Sequence, residues 1–273
     1  MARTSLAEAG VGSLVLLGCG KMGGAMLEGW LKGGLTPAQV QVIDPYPSGW
    51  LKGRAAQGVT VNPVELAPAT VAVIAVKPQM MAEAAPRLAV LAGQGTVFLS
   101  IAAGTPIAAF EAMFGAATPI IRAMPNTPAA VGRGIAALIG NAVATEAQMA
   151  MAEALLGAVG QTVRLVSEEQ MHAVTGLSGS GPAYVFHMIE AMAAAGTAAG
   201  LPPDLAMRLA RATVAGAGAL ADASPEPAKQ LRVNVTSPGG TTAAGLGVLM
   251  PELSDLMTRT VAAAAGRSRE LAE

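Results

Sequence analysis

Between residues 13 and 166 the chain alternates short apolar runs with longer stretches of helix-like pattern. Residues 13–17, 39–43, 71–76, 96–100 and 119–123 read as strands, and 134–139 and 161–166 read as extensions of the same sheet. The run Val71-Ala72-Val73-Ile74-Ala75-Val76 is apolar throughout, the pattern of a strand covered on both faces. Residues 25–31 read as the helix after the first strand. Strands separated by helix-length segments imply crossover units and a mostly parallel sheet. Beyond residue 166 the pattern changes: 184–199, 203–221 and 252–271 read as helices, with no convincing strand. The expected organisation is therefore an α/β domain over 13–166 and an all-helical domain over 167–273. Residues 1–12 read as a disordered lead-in.

Composition narrows the function classes. Hydrophobic residues make up 52% of the chain but aromatics only 3%, so alanine dominates and closely spaced helices are favoured. The net charge of −1, without a basic block, argues against nucleic-acid binding. No run reaches the ~18 apolar residues of a membrane span. Cys19 is the sole cysteine, so no internal disulfide forms, which fits a reducing compartment such as the cytoplasm. No His/Cys cluster points to a metal.

Chemistry concentrates in two loops. Gly18-Cys19-Gly20-Lys21-Met22-Gly23 follows the first apolar strand and opens a helix, the context in which G-x-G-x-x-G carries meaning. The first glycine makes the turn, the second admits a pyrophosphate, and the third lets helix and strand pack closely. This predicts a Rossmann-type, doubly wound dinucleotide-binding domain. Asp44 ends the second strand, where a carboxylate either accepts the adenosine ribose hydroxyls, disfavouring a 2′-phosphate, or caps the turn before Pro45. Lys52 and Arg54 lie downstream as alternative phosphate ligands, which leaves NADH and NADPH both open. Lys77, in Ala75-Val76-Lys77-Pro78, follows another strand and either faces the cofactor crevice or sits solvated on a loop. Asn126, between Pro125 and Thr127-Pro128, offers a donor and an acceptor on a rigid turn.

The second loop is Thr236-Ser237-Pro238-Gly239-Gly240-Thr241-Thr242. Glycines and a proline at a helix start expose backbone N–H groups to an anion, and Ser237 adds a hydroxyl. Such a cradle grips a carboxylate without an arginine. A threonine hydroxyl such as that of Thr242 can meet a neighbouring polar atom, donating or accepting. The alternative for Thr241 and Thr242 is ordinary helix-start chemistry. Glu168 either favours a cationic substrate through its charge or serves as a helix-start acid. His172 stands one helical turn from Glu168, paired or exposed, and His187 on an apolar helix reads as non-catalytic.

With Thr175-Gly176-Leu177-Ser178-Gly179-Ser180-Gly181-Pro182-Ala183-Tyr184, these strings resemble the pyrroline-5-carboxylate reductase family over nearly the whole chain from Ser13. The resemblance implies reduction of 1-pyrroline-5-carboxylate to L-proline by NADPH or NADH. It implies a C-terminal helical dimerisation domain, with homodimers able to assemble into homodecamers, and an active site at the dimer interface. By position it implies cofactor contacts from Leu17, Gly18, Cys19, Gly20, Lys21, Met22, Asp44, Asn62, Ala75, Val76, Lys77, Pro78, Ile101, Ala102 and Ala103. Substrate contacts are implied for Glu168, Ser237, Gly239, Gly240, Thr241 and Thr242, with Thr242 and Ser237 closest to the chemistry. Asp44, His172 and Val233 depart from the common family pattern. Two other readings are a hydroxyacid dehydrogenase, against which the absence of lysine from 167–221 counts, and a dinucleotide-binding redox sensor without turnover.

Overall fold

A computed structural model describes residues 5–272. They fold into two compact units, 5–179 with 264–272, and 180–263.

In the first unit eight strands form one sheet. They are β1 (Leu14–Leu17), β2 (Val40–Ile43), β3 (Thr60–Val61), β4 (Val71–Ile74), β5 (Val97–Ser100), β6 (Ile120–Met124), β7 (Gly134–Gly140) and β8 (Gly160–Arg164). The spatial order is β3-β2-β1-β4-β5-β6-β7-β8, with every neighbouring pair parallel except β6 and β7. Only residues 125–133 join β6 to β7, too few for a crossover, so the chain reverses. The strand order turns at β1: the chain builds outward to β3, then returns to place β4 on β1's other side. This is the switch point of a doubly wound sheet.

The apolar runs are two interleaved faces. Leu14, Leu16, Val71, Val73, Val97 and Leu99 enter one core, while Val15, Leu17, Ala72, Ile74 and Phe98 enter the other. This is the two-residue alternation of a strand covered on both sides. On the first face lie helices α1 (Lys21–Lys32) and α5 (Glu146–Gly157), joined by a bond from the Trp30 indole N–H to the Leu155 carbonyl at 2.8 Å. On the second lie Leu88, Leu91 and α4 (Ile107–Phe114), whose Phe114 ring packs on Phe98 at 4.3 Å between centroids. The shorter α2 (Gly49–Ala55), α3 (Met81–Ala84) and α6 (Gln170–Val174) complete the unit, and α6 runs on as a π-helical turn over Thr175–Gly179.

Leu6 and Val11 are buried in the core, so residues 5–12 are packed rather than a disordered lead-in; for residues 1–4 that expectation lies outside the described residues.

The second unit is helical: α7 (Gly181–Ala198), α8 (Pro203–Ala223), α9 (Ala228–Asn234) and most of α10 (Thr241–Glu270). Gly200, at φ +102°, makes the turn between α7 and α8, and Gly196 approaches Ala206 closely enough that a Cβ would lie 3.3 Å from that methyl. α10 begins well before the expected residue 252. Gly245, Gly247 and Pro251 weaken the local helix pattern, yet the helix runs through all three. Change from sheet to helix occurs after β8, while the compact units divide between Gly179 and Ser180. Among the described residues no helix is long and apolar enough to cross a membrane.

Candidate active site

The parallel strands end in register. Leu17 of β1 pairs with Ile43 of β2 and Ile74 of β4, and Ile74 pairs with Ser100 of β5. The loops that follow therefore share one sheet edge. Gly18 N–H donates to the Ile43 carbonyl at 2.8 Å, Ala75 N–H to Leu17 at 2.8 Å, and Ile101 N–H to Ile74 at 3.0 Å. This brings Leu17, Gly18, Cys19, Gly20, Lys21 and Met22 to the same edge as Asp44, Ala75, Val76, Lys77, Pro78, Ile101, Ala102 and Ala103. Asn62 joins them after β3, its N–H bonded to the Val42 carbonyl at 2.7 Å.

Each glycine of the first loop has a distinct steric reason. Gly18 lies at φ +89°, and a Cβ there would sit 2.9 Å from the Ala75 carbonyl oxygen. A Cβ on Gly23 would run into the Gly18 carbonyl oxygen, so only glycine lets α1 start this close to β1. Gly20 differs: a Cβ there would meet no protein atom within 4 Å, and its φ of −71° suits any residue. It caps α1 without a side-chain hydrogen bond, and the N–H groups of Lys21, Met22 and Gly23 precede the helix's own bonding pattern. An open, side-chain-free cradle at a helix N-terminus is the shape and polarity that a pyrophosphate fits.

Asp44 is held from several directions. Its Oδ2 accepts the Cys19 N–H and its Oδ1 the Tyr46 N–H, both at 2.8 Å. Asn62 accepts the Asp44 N–H at 2.9 Å and donates to the Asp44 carbonyl at 2.7 Å, from a left-handed backbone at φ +51°. Burial, and secondly the Asp44 charge, push the Cys19 thiol up to about 12, so it stays protonated. On the β5 side, the Ser100 hydroxyl accepts the Ala102 N–H at 3.2 Å and shapes the loop there.

Glu168 has a task that the sequence did not disclose. Its Oε1 accepts from the buried Arg122 guanidinium at 2.6 Å and from the Ile107 N–H at 2.9 Å. Pro106 precedes α4 and has no side chain to cap it, so Glu168 does so from a distance of 61 residues. It thereby fixes the far end of the loop that leaves β5. Arg122 was missed as a site residue; its signal is a lone charge inside the apolar string Ile120-Ile121-Arg122-Ala123. Asn126 uses both halves of its amide, donating to the Ser178 carbonyl at 3.1 Å and accepting the Ile135 N–H at 2.9 Å. His172 is buried and neither exposed nor bonded to Glu168: its Nδ1 lies 3.0 Å from the Ser268 hydroxyl. His187 is exposed beside Glu190.

In the second unit the Gly240 N–H donates to the Ser237 carbonyl at 3.0 Å, and Gly239 sits at φ +69°. With proline and glycine at its centre, Ser237-Pro238-Gly239-Gly240 is a type II turn. Pro238 therefore belongs to this turn and not to the first helical turn, because α10 starts at Thr241. The turn delivers Thr241 and Thr242 to the helix N-terminus. Ser237, Gly239, Thr241 and Thr242 are exposed and Gly240 is half-buried. Among the described residues no group of three or more metal-ligating side chains occurs.

A glycine-lined crevice at the switch point of a doubly wound sheet defines a Rossmann-type dinucleotide-binding protein. Comparison with known proteins is more specific. Residues 168–271 match the family model for pyrroline-5-carboxylate reductase dimerisation, and residues 13–104 match that for coenzyme F420-dependent NADP oxidoreductases. A pyrroline-5-carboxylate reductase of Pseudomonas aeruginosa is 39% identical over 264 residues, spanning 95% of this chain and 97% of its own length. The Coxiella burnetii pyrroline-5-carboxylate reductase structure superposes with a TM-score of 0.90 at 32% identity, covering 96% of this chain and 99% of that one. The Plasmodium falciparum pyrroline carboxylate reductase, solved with NADP bound, superposes with a TM-score of 0.80 at 26% identity, covering 96% and 98%. The chain belongs to the pyrroline-5-carboxylate reductase family. These relatives favour neither the hydroxyacid dehydrogenase nor the redox sensor.

Proposed function

We propose that this protein reduces 1-pyrroline-5-carboxylate to L-proline with NADH or NADPH, the last step of proline biosynthesis. The observation that carries the reading is the 39% identity to a named reductase over 95% of the chain. The glycine crevice and the hydroxyl cradle are the two binding features such a reaction needs.

Reduction of a cyclic imine requires a hydride at carbon and a proton at nitrogen. The bound nicotinamide supplies the hydride. The chain's own residues bind and orient. The open cradle at Gly20 holds the pyrophosphate, while Asp44, Asn62, Ala75 to Pro78 and Ile101 to Ala103 line the rest of the dinucleotide site. Ser237 and the backbone N–H groups of Gly239 and Thr241, with Gly240 closing the turn between them, hold the substrate carboxylate. The Thr242 hydroxyl faces the ring nitrogen, accepting from the iminium and donating to the neutral imine. Threonine is a weak acid, so its part is to hold the nitrogen; the proton arrives with the iminium or through water. Glu168 acts on the dinucleotide side by fixing the loop after β5.

The cradle completes the crevice within a homodimer, and a pentamer of dimers is the larger assembly proposed. The exposed Phe186, Met188, Leu209 and Val248 support burial of the helical unit against a second copy. The single cysteine, kept as a thiol, supports a cytoplasmic site of action.

The test is oxidation of NADH and of NADPH by the purified protein with freshly generated 1-pyrroline-5-carboxylate, with proline identified as product. Substrate-dependent oxidation is expected with at least one dinucleotide. Its absence with both overturns the proposal.

A further inference from the structure

We infer that Asn126 is a positioning residue for the reduction: it clamps the π-helical turn Thr175–Gly179 onto the loop after β6 and so sets the crevice wall on the nicotinamide side. The inference rests on the reductase reading given above and assigns a task to a residue which that reading leaves unused.

The loop after β6 shares the crevice edge. Ser100 of β5 pairs with Arg122 of β6, and β6 runs on to Met124, so Pro125 and Asn126 emerge beside the loop of Ile101 to Ala103. A dinucleotide lies across the switch point with its pyrophosphate at the α1 cradle. Asp44 and Asn62 mark the adenosine side, over β2 and β3, which leaves the side of β4, β5 and β6 to the nicotinamide. Groups that shape the end of β6 therefore border the ring that delivers the hydride.

β6 and its loop grip the segment 168–178 at both ends. At its start Arg122 donates to Glu168 at 2.6 Å, and at its end the Asn126 amide donates to the Ser178 carbonyl at 3.1 Å. The other half of that amide accepts the Ile135 N–H, at the start of β7, at 2.9 Å. One buried side chain thus ties three stretches of chain together. What it holds is irregular: the turn over 175–179 is π-helical, a form used mostly as single turns and frequently at functional sites. Side-chain hydroxyls bond carbonyls along it, Thr175 to Met171 at 2.8 Å and Ser178 to Val174 at 3.1 Å. The Ser178 carbonyl itself is met from outside by Asn126. Packing here is close, since a Cβ on Gly179 would lie 2.7 Å from the Met124 methyl. Because the Arg122–Glu168 pair still anchors the start, loss of the Asn126 bond frees the far end without releasing the whole segment.

The experiment compares the full chain with Asn126→Asp and Asn126→Thr at a temperature where circular dichroism shows each to be folded. Aspartate keeps an acceptor for the Ile135 N–H but sets a lone pair against the Ser178 carbonyl. Threonine suits the extended backbone at φ −128° and ψ 166°, yet its shorter side chain does not reach both partners. On 1-pyrroline-5-carboxylate, kcat is expected to fall about tenfold or more in both variants, as nicotinamide and substrate lose alignment. Dinucleotide Kd is expected to stay within about threefold, because the α1 cradle and Asp44 are untouched. A parent-like kcat in either folded variant overturns the inference and leaves Asn126 a structural clamp. So does failure of both variants to fold, or a dinucleotide Kd weakened in step with kcat. A parent protein without turnover overturns the reductase reading, and this inference with it.

Discussion

Replacing Glu168 by alanine strips the anion from a buried guanidinium. The Arg122 side chain is 4% exposed and lies 2.6 Å from Glu168 Oε1. Removing one partner of a buried pair costs about 3–5 kcal/mol, because the remaining charge is left desolvated. Glu168 itself is 32% exposed, so water can reach the vacated space and the lower figure, about 3 kcal/mol, applies. The same oxygen caps α4 through the Ile107 N–H, and loss of a cap adds about 1 kcal/mol. At ~2–4 °C per kcal/mol for a chain of this size, the melting temperature should fall by about 8–16 °C. The assay is thermal unfolding followed by circular dichroism at fixed protein concentration, since self-association makes stability concentration-dependent. A double variant, Arg122→Met with Glu168→Gln, should recover most of the loss, because it removes both charges and keeps an acceptor for Ile107. A Glu168→Ala protein within ~1 kcal/mol of the parent would show that the pair holds nothing in place.

Two further predictions separate folding from binding within the glycine loop. Gly23→Ala drives a methyl into the Gly18 carbonyl and should cost about 1–3 kcal/mol in stability, whereas Gly20→Ala, which meets no protein atom, should stay within ~0.5 kcal/mol yet weaken dinucleotide binding about tenfold or more; melting curves beside dinucleotide titrations check both, and a Gly20→Ala protein that binds normally would remove the pyrophosphate from that cradle. Cys19, raised to about 12, should resist alkylation by iodoacetamide in the native protein at pH 8 and react on unfolding. The thiol's folded value lies above its ordinary value of about 9, so its contribution to stability is present below pH 9 and is lost as pH rises from about 9 to about 12.

The sheet was legible because strands buried on both faces must be apolar at every position, and β1, β4 and β5 are nearly so. β3 escaped notice because the two residues Thr60 and Val61 carry no period. The glycine loop was legible for a local reason: its steric demands fall on neighbours close in sequence. The Arg122–Glu168 pair was not, since the partners lie 46 residues apart and meet only once β6 is in the sheet. His172 and Ser268, 96 residues apart, are hidden in the same way. The hydroxyl cradle was visible as composition, but its type II turn, which moves Pro238 out of the helix, emerges only from the backbone.

The central claim is that the Ser237–Thr242 cradle works on the substrate while the glycine crevice holds the dinucleotide. The most direct test is Thr242→Ala, with kcat measured on 1-pyrroline-5-carboxylate and dinucleotide Kd measured separately. A lost hydrogen bond to a charged nitrogen, worth about 1.5–3 kcal/mol, predicts a fall in kcat of roughly 10- to 150-fold. The dinucleotide Kd should hold within about twofold, since the proposed partner of the Thr242 hydroxyl is the substrate's ring nitrogen and not the dinucleotide. An unchanged kcat, or a loss of dinucleotide binding that matches the loss of turnover, would contradict the account.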